Sequence, residues 1–382
     1  MRSLRWLKDV DWPLFTAILL LFGFGIVALW GLTYTGAVSK EIFVKQVTWG
    51  VLAVFISLGF SLFDYRLLRD RTFLVVALYV LGLIFLGALF FFGTSVRGAV
   101  SWFKFFSFTV EPIEFIKIIM LVFLAKYFSA RHIELYGLRH IVVSGCYVVV
   151  PALLALLQPD LGSAMVLGGV WLGIILFSGI RMRHFLLLCL LSFVISAALW
   201  VFTLSGYQKD RVLSFIQPQA DPLGISYNVR QSMIAVGSGR FLGKGLGYGT
   251  QSHLQFLPEA ETDFIFSAIS EEWGFMGSSI LLFIFAFVFW RILSIGFKAD
   301  NNFARFFSLG FSILICLQFT IHVGMNMGLL PVTGLTLPFV SYGGSSLVSL
   351  AVGIGVIQSI AVRNRLSEKV SVAQESAYFI AY

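Results

Sequence analysis

Thr72-Phe73-Leu74-Val75-Val76-Ala77-Leu78-Tyr79-Val80-Leu81-Gly82-Leu83-Ile84-Phe85-Leu86-Gly87-Ala88-Leu89-Phe90-Phe91-Phe92 runs for 21 residues without one charged side chain. A helix needs about 20 mostly apolar residues to cross the hydrocarbon core of a bilayer. The run fits, and it is not alone. Comparable stretches occupy 13–32, 43–63, 113–128, 141–157, 161–178, 184–205, 264–290, 303–328 and 338–362. The expected fold is an all-α polytopic membrane protein of about ten spanning helices. Span 113–128 is the most interrupted, by Glu114 and Lys117. Gln158-Pro159-Asp160 makes a tight turn between two others, because proline cannot continue a helix.

Composition agrees. The 382 residues are 58% hydrophobic and only 12% charged, with 41 Phe and a mean hydropathy of +0.91. Ordinary soluble domains carry about 25% charged residues. The polar surface is too small for a soluble enzyme, and the hydropathy too high for a disordered chain. Cys146, Cys189 and Cys316 are odd in number and lie far apart in apolar runs, which excludes a disulfide framework.

The net charge of +8 reflects orientation in a membrane rather than nucleic-acid binding. With the N-terminus inside, seventeen Lys and Arg fall in cytoplasmic stretches and four in the short outer loops. That asymmetry puts both termini in the cytoplasm. The apolar run after Arg2, Arg5 and Lys8 is read as the first span rather than a cleavable signal, being too long for one. One domain is expected over 1–363, followed by a short cytoplasmic tail, 364–382.

The connection 206–261, between the seventh and eighth spans on the outer face, exceeds what a passive loop needs. It holds an amphipathic stretch, 227–236, and then Gly237, Gly239, Gly243, Gly245, Gly247 and Gly249. Such glycines let backbone lie close against a ligand, lipid or other helices. Gly239-Arg240-Phe241-Leu242-Gly243-Lys244-Gly245 is no phosphate loop, because its spacing and the residue after Lys244 are wrong.

Charges at membrane depth cost about 2.5–3.5 kcal/mol each on insertion scales, so they need partners or a task. Here they gather at the outer end: Arg97, Glu111, Glu114, Lys117, Asp160, Glu259, Glu261, Asp263, Glu271 and Glu272. One polar outward-facing cavity would house them. Each also has a plainer reading. Glu114 and Lys117, three apart, share a helix face and can pair. Asp160 and Asp263 stand where acids cap helices, and Arg97 could snorkel to the interface. The stripe Gln318, His322 and Asn326 reads as interhelical hydrogen bonding.

With these residues in view, the chain resembles the SEDS family (shape, elongation, division, sporulation) of peptidoglycan glycosyltransferases. The resemblance is carried by Arg97-Gly98-Ala99, Pro112-Ile113-Glu114-Phe115-Ile116-Lys117, Gln158-Pro159-Asp160-Leu161-Gly162, and residues 231–249, 258–277 and 335–347. Asp221-Pro222-Leu223-Gly224 and residues 249–259 are more similar to the rod-elongation (RodA-like) branch than to the division (FtsW-like) branch. The resemblance implies polymerisation of lipid II on the outer face of the bacterial inner membrane. It also implies a class B penicillin-binding protein and elongation-complex membrane proteins as partners. It carries the catalytic aspartate onto Asp263, as general base on the acceptor 4-hydroxyl. Arg97, Lys104, Glu114, Lys117, Asp160 and Lys244 become substrate-binding candidates, and a divalent cation (Mg or Mn) is an alternative way to meet diphosphate charge. The competing readings are a lipid II flippase, which would place its site near the midplane between repeats, and a structural scaffold.

Overall fold

Asp11 opens the first helix by accepting a hydrogen bond from the Leu14 amide at 3.2 Å, with Pro13 in the first turn. That helix, α1 (Trp12–Tyr34), begins a computed structural model describing residues 8–96, 99–105, 108–130, 138–202, 206–216 and 225–380. Then come α2 (Lys40–Leu62), the short α3 (Arg66–Asp70), α4 (Thr72–Phe92), α5 (Pro112–Ser129), α6 (Leu138–Leu157), α7 (Leu161–Phe177) and α8 (Met182–Phe202). The long connection contributes α9 (Gly206–Ile216), α10 (Ile225–Ser238) and α11 (Thr250–His253). The chain closes with α12 (Ile265–Phe297), α13 (Asn302–Asn326) and α14 (Gly344–Ile380). Seven of the described helices are long and apolar enough to cross a membrane: α1, α2, α4, α6, α12, α13 and α14. Helices α5, α7 and α8 occupy the other three expected positions.

Three features go beyond the sequence reading. The connection between α4 and α5 is a small antiparallel sheet in the order β1 (Thr94–Val96), β2 (Ala99–Phe105), β3 (Phe108–Val110). Its valines and aromatics favour pleated backbone, but its strands are too short to show a clear period. Second, α14 runs straight through the expected boundary at 363. Arg363 pairs with Asp64 at 2.7 Å, and Arg365 reaches Asp11 at 3.1 Å beside Arg291 at 2.6 Å. These contacts staple the ends of α1, α12 and α14 together.

The third is a break in α12. Gly274 has φ 64° and ψ −160°, a conformation reserved for glycine. The break frees backbone groups that a membrane cannot hydrate. The glycine-rich loop after α10 takes them up. Phe275 and Met276 donate to the Arg240 and Phe241 carbonyls at 2.8 and 3.0 Å, while Lys244 and Gly245 donate to the Glu271 and Glu272 carbonyls at 3.0 and 2.9 Å. The approach leaves no room for side chains: a methyl group on Gly243 would lie 2.1 Å from the Glu272 carbonyl oxygen. Of the three surfaces the glycines were expected to approach, the one observed is another helix.

Candidate functional site

A cavity of about 690 Å³ opens at the end of the bundle where the acids gather. Several separate regions supply its polar lining. Glu111 precedes α5, Asp160 sits in the α6–α7 turn, and Glu259, Thr262 and Asp263 lead into α12. Arg211 comes from α9, and Lys45 from α2. Thr333, Gly334 and Ser345 come from the α13–α14 connection and the start of α14, and Trp49, Trp102 and Tyr342 add aromatic faces.

Asp160 keeps its plain role, accepting from the Ser163 amide at 3.0 Å as the cap of α7. It nevertheless lines the cavity, so both readings hold. Asp263 is half-buried and held through its backbone. Its carbonyl accepts from Asn326 Nδ2 at 2.9 Å. The Asn326 Oδ1 accepts from the Ser267 amide at 3.1 Å and hydroxyl at 2.7 Å. Asn326 thereby caps α12 from a neighbouring helix, because Phe264 at its start has no side chain to do so. Ser232 of α10 ties in, 2.6 Å from the Ser267 hydroxyl. The polar stripe on α13 therefore braces the catalytic candidate's loop as well as its neighbours. His322 does likewise, its Nδ1 lying 2.8 Å from the Leu335 carbonyl.

Arg211 approaches Asp263. It donates to the Thr333 carbonyl at 3.1 Å. A methyl group on Gly334 would lie 3.8 Å from both its terminal nitrogens and 4.0 Å from Asp263 Oδ2. Both groups thus flank Gly334, whose φ of +76° is what calls for glycine there. Glu111, tied by its amide to Ser345 at 3.0 Å, is pushed well above the usual carboxylate range. Burial is the main cause, and the nearby Glu114 and Asp160 carboxylates add to it.

The remaining candidates separate. Glu114 and Lys117 are buried beneath the cavity rather than lining it, and pair at 2.7 Å. Removing one member leaves an uncompensated buried charge, costing about 3–5 kcal/mol. Glu114→Gln and Lys117→Met should each destabilise the detergent-solubilised protein by that order, and the double variant by much less than the sum. Additive costs in that cycle, read by chemical unfolding, would contradict a closed pair.

Lys244 does not line this cavity. It donates to Glu271 at 2.8 Å and to Thr250 at 2.9 Å, away from the cavity. Glu271, fully buried, also accepts from the Gln251 and Ser252 amides at 3.0 and 3.1 Å. Glu272 pairs with His253 at 2.7 Å. These two acids lock the glycine-rich loop and α11 onto the broken helix, so they leave the expected cavity cluster. Lys104 is exposed and lies on a separate apolar groove. Arg97 and the 221–224 motif fall outside the described residues.

The cavity cations Lys45 and Arg211 escaped the sequence reading. Lys45 looked like an outer-loop charge, and Arg211 sits in a polar helix with no motif. Among the described residues, no three Asp, Glu, His or Cys side chains are grouped so as to hold a metal ion by themselves.

Known proteins resemble most of the chain. Residues 12–366 match the family described as cell cycle protein, FTSW_RODA_SPOVE. The peptidoglycan glycosyltransferase RodA of Treponema pallidum is 31% identical, over 94% of this chain and 99% of that one. The probable peptidoglycan glycosyltransferase FtsW of Haemophilus influenzae is 34% identical, over 91% and 89%. A chain from the solved structure called "Structural coordination of polymerization and crosslinking by a peptidoglycan synthase complex" superposes with a TM-score of 0.78. It is 27% identical, with 93% of this chain and 98% of that one covered.

Proposed function

Since the chain belongs to the FtsW/RodA/SpoVE family of cell cycle proteins, and is a multi-pass bacterial membrane protein, we propose that it polymerises lipid II into glycan strands at this cavity, with Asp263 as general base. The observation carrying this reading is the convergence of Asp263, Asp160, Glu111, Arg211 and Lys45 on one cavity. Its near relatives bear the name peptidoglycan glycosyltransferase in both the RodA and FtsW branches.

The chemistry needs little more. The acceptor sugar's 4-hydroxyl oxygen attacks the donor's anomeric carbon while the bond from that carbon to the diphosphate oxygen breaks. The bonding electrons leave with the lipid diphosphate, and the hydroxyl proton passes to Asp263, which later returns it to water. A glycosidase uses two carboxylates because its leaving alcohol must be protonated. A diphosphate departs as a stable anion, so one base suffices. Its growing charge is met by fixed cations, a role that falls to Arg211 and Lys45. Asp160 and Glu111 shape the sugar-facing wall, and the Glu114–Lys117 pair supports it from below. Arg97 remains a further diphosphate candidate from the family resemblance.

Detergent-solubilised protein given lipid II, with no other glycosyltransferase present, should yield polymer. Micelles offer no second compartment, so polymer also separates synthesis from transport. Its absence would defeat the reading. Arg211→Gln should lower kcat/KM for lipid II by about 10²-fold, the order lost with one charge-stabilising donor, and Arg211→Lys should recover part of it. An unchanged kcat/KM in Arg211→Gln would remove that residue from the site.

Residues 249–259 favour the elongation branch and, with it, a cross-linking class B penicillin-binding protein as partner. The synthase-complex likeness supports such a partnership. Rescue of rod shape, but not of septation, in cells depleted of each native polymerase would test the assignment.

A further inference from the structure

Three consecutive backbone carbonyls lead into α12, and each is held by a different donor. The Glu261 carbonyl accepts from the Tyr342 amide at 2.9 Å. The Thr262 carbonyl accepts from the Ser341 hydroxyl at 2.7 Å, and the Asp263 carbonyl from Asn326 at 2.9 Å. Two of these donors are neighbours in the α13–α14 connection.

That connection holds its own shape at this point. The buried Ser341 hydroxyl also accepts from the Leu337 amide at 2.9 Å, and the Ser341 amide donates to the Leu337 carbonyl at 3.0 Å. Within this turn Phe339 is buried at φ +64°. A residue with a side chain keeps that left-handed conformation only where its surroundings over-determine it, a condition met most often at functional sites.

The turn is anchored from α2. Gln46 Nε2 donates to the Ser341 carbonyl at 3.1 Å. Gln46 is fully buried, and among the described residues its Oε1 meets no hydrogen-bond partner. A buried amide with one end unpaired is a cost to the fold, so stability alone does not account for glutamine here. Beside it on α2, Lys45 and Trp49 line the cavity. Trp49 closes on the start of α14, where a methyl group on Gly344 would lie 2.4 Å from the indole.

We infer that Gln46 and Ser341 are positioning residues, setting the Asp263 loop against the α2 wall of the cavity through two hydrogen bonds, Gln46 to Ser341 and Ser341 to Thr262. This rests on the glycosyltransferase reading for its reaction, and on the hydrogen bonds alone for the frame. Base and diphosphate-facing cation act at opposite ends of one displacement, so their separation has to match the path of attack. A reacting group misplaced by 1 Å can cost about 10²-fold in rate.

Two variants of the full-length protein in detergent break the frame at separate bonds. Ser341→Ala removes the hydroxyl, and Gln46→Met keeps the length of the side chain without its donor. Each should lower kcat for lipid II at least tenfold with KM within about twofold of the parent, because an interaction that matters only in the transition state is lost. Gln46→Met removes one unpaired group and leaves another, the Ser341 carbonyl, so its unfolding temperature should stay near the parent's. A parental kcat in either folded variant, or a rise in KM alone, overturns the proposal. So does a Gln46→Met chain that fails to fold, which would make the residue a support of the bundle.

Hydrogen exchange over residues 259–264, read by mass spectrometry, needs no substrate. Both variants should exchange there at least tenfold faster than the parent, with α13 unchanged. Parental exchange in that segment overturns the frame. Should the parent make no polymer, the glycosyltransferase reading falls and the exchange alone decides the frame.

Discussion

Asp263→Asn is expected to lower the polymerisation rate by about 10³-fold or more while leaving the protein folded and inserted. A positioned general base contributes about 10²–10⁴-fold, and an amide of the same shape cannot accept the hydroxyl proton. The Asp263 backbone carbonyl is gripped by Asn326, and the asparagine keeps that contact. Purified variant and parent, compared for glycan polymer by gel and for unfolding temperature, check the prediction. A variant that polymerises at the parental rate removes Asp263 from the mechanism.

Gly274→Ala is expected to cost at least about 3 kcal/mol, from a backbone conformation essentially restricted to glycine and from steric overlap. The new methyl would lie 2.3 Å from the Gly243 nitrogen and 2.8 Å from the Gly239 and Phe241 carbonyl oxygens. All three are backbone atoms with nowhere to go. The loop carrying Lys244 would detach from Glu271, so protease cleavage between α10 and α11 should appear alongside the loss of stability. Gly237 supplies the control. It lies within α10 with no atom within 4 Å of an added methyl, so Gly237→Ala should be neutral or stabilise by up to about 1 kcal/mol. Equal behaviour of the two variants would refute the locking role of the break.

Apolar runs and the sidedness of charge made most of the architecture legible in the sequence. The run 72–92 became α4 with identical ends. The convergence of Asp160 and Asp263 was equally legible, since acids at one depth can be housed cheaply only together. What the sequence hid is which acids turn toward the cavity. Glu271 lies two turns along the helix that Asp263 introduces, and in composition the two look alike. Only the break at Gly274 draws the glycine-rich loop across Glu271 and closes it away from the cavity. A single glycine in an apolar run does not announce a break; Gly82 and Gly87 lie in an unbroken helix. Lys244 was lost to the same lock. Arg211 was invisible for the opposite reason: its partner surface, Thr333 and Gly334, lies more than a hundred residues away and follows no spacing rule.

The central claim is that a sugar hydroxyl meets Asp263 inside the cavity bounded by Arg211, Lys45 and Asp160. Its most direct test is an experimental structure of the protein trapped with lipid II, using Asp263→Asn to hold the substrate. The account predicts ordered sugar–diphosphate density in that cavity, with an acceptor hydroxyl at hydrogen-bond distance, about 3 Å, from the side chain at 263. It also predicts phosphate oxygens on Arg211 or Lys45. Substrate density ordered elsewhere on the protein, with the cavity occupied by solvent, would contradict it.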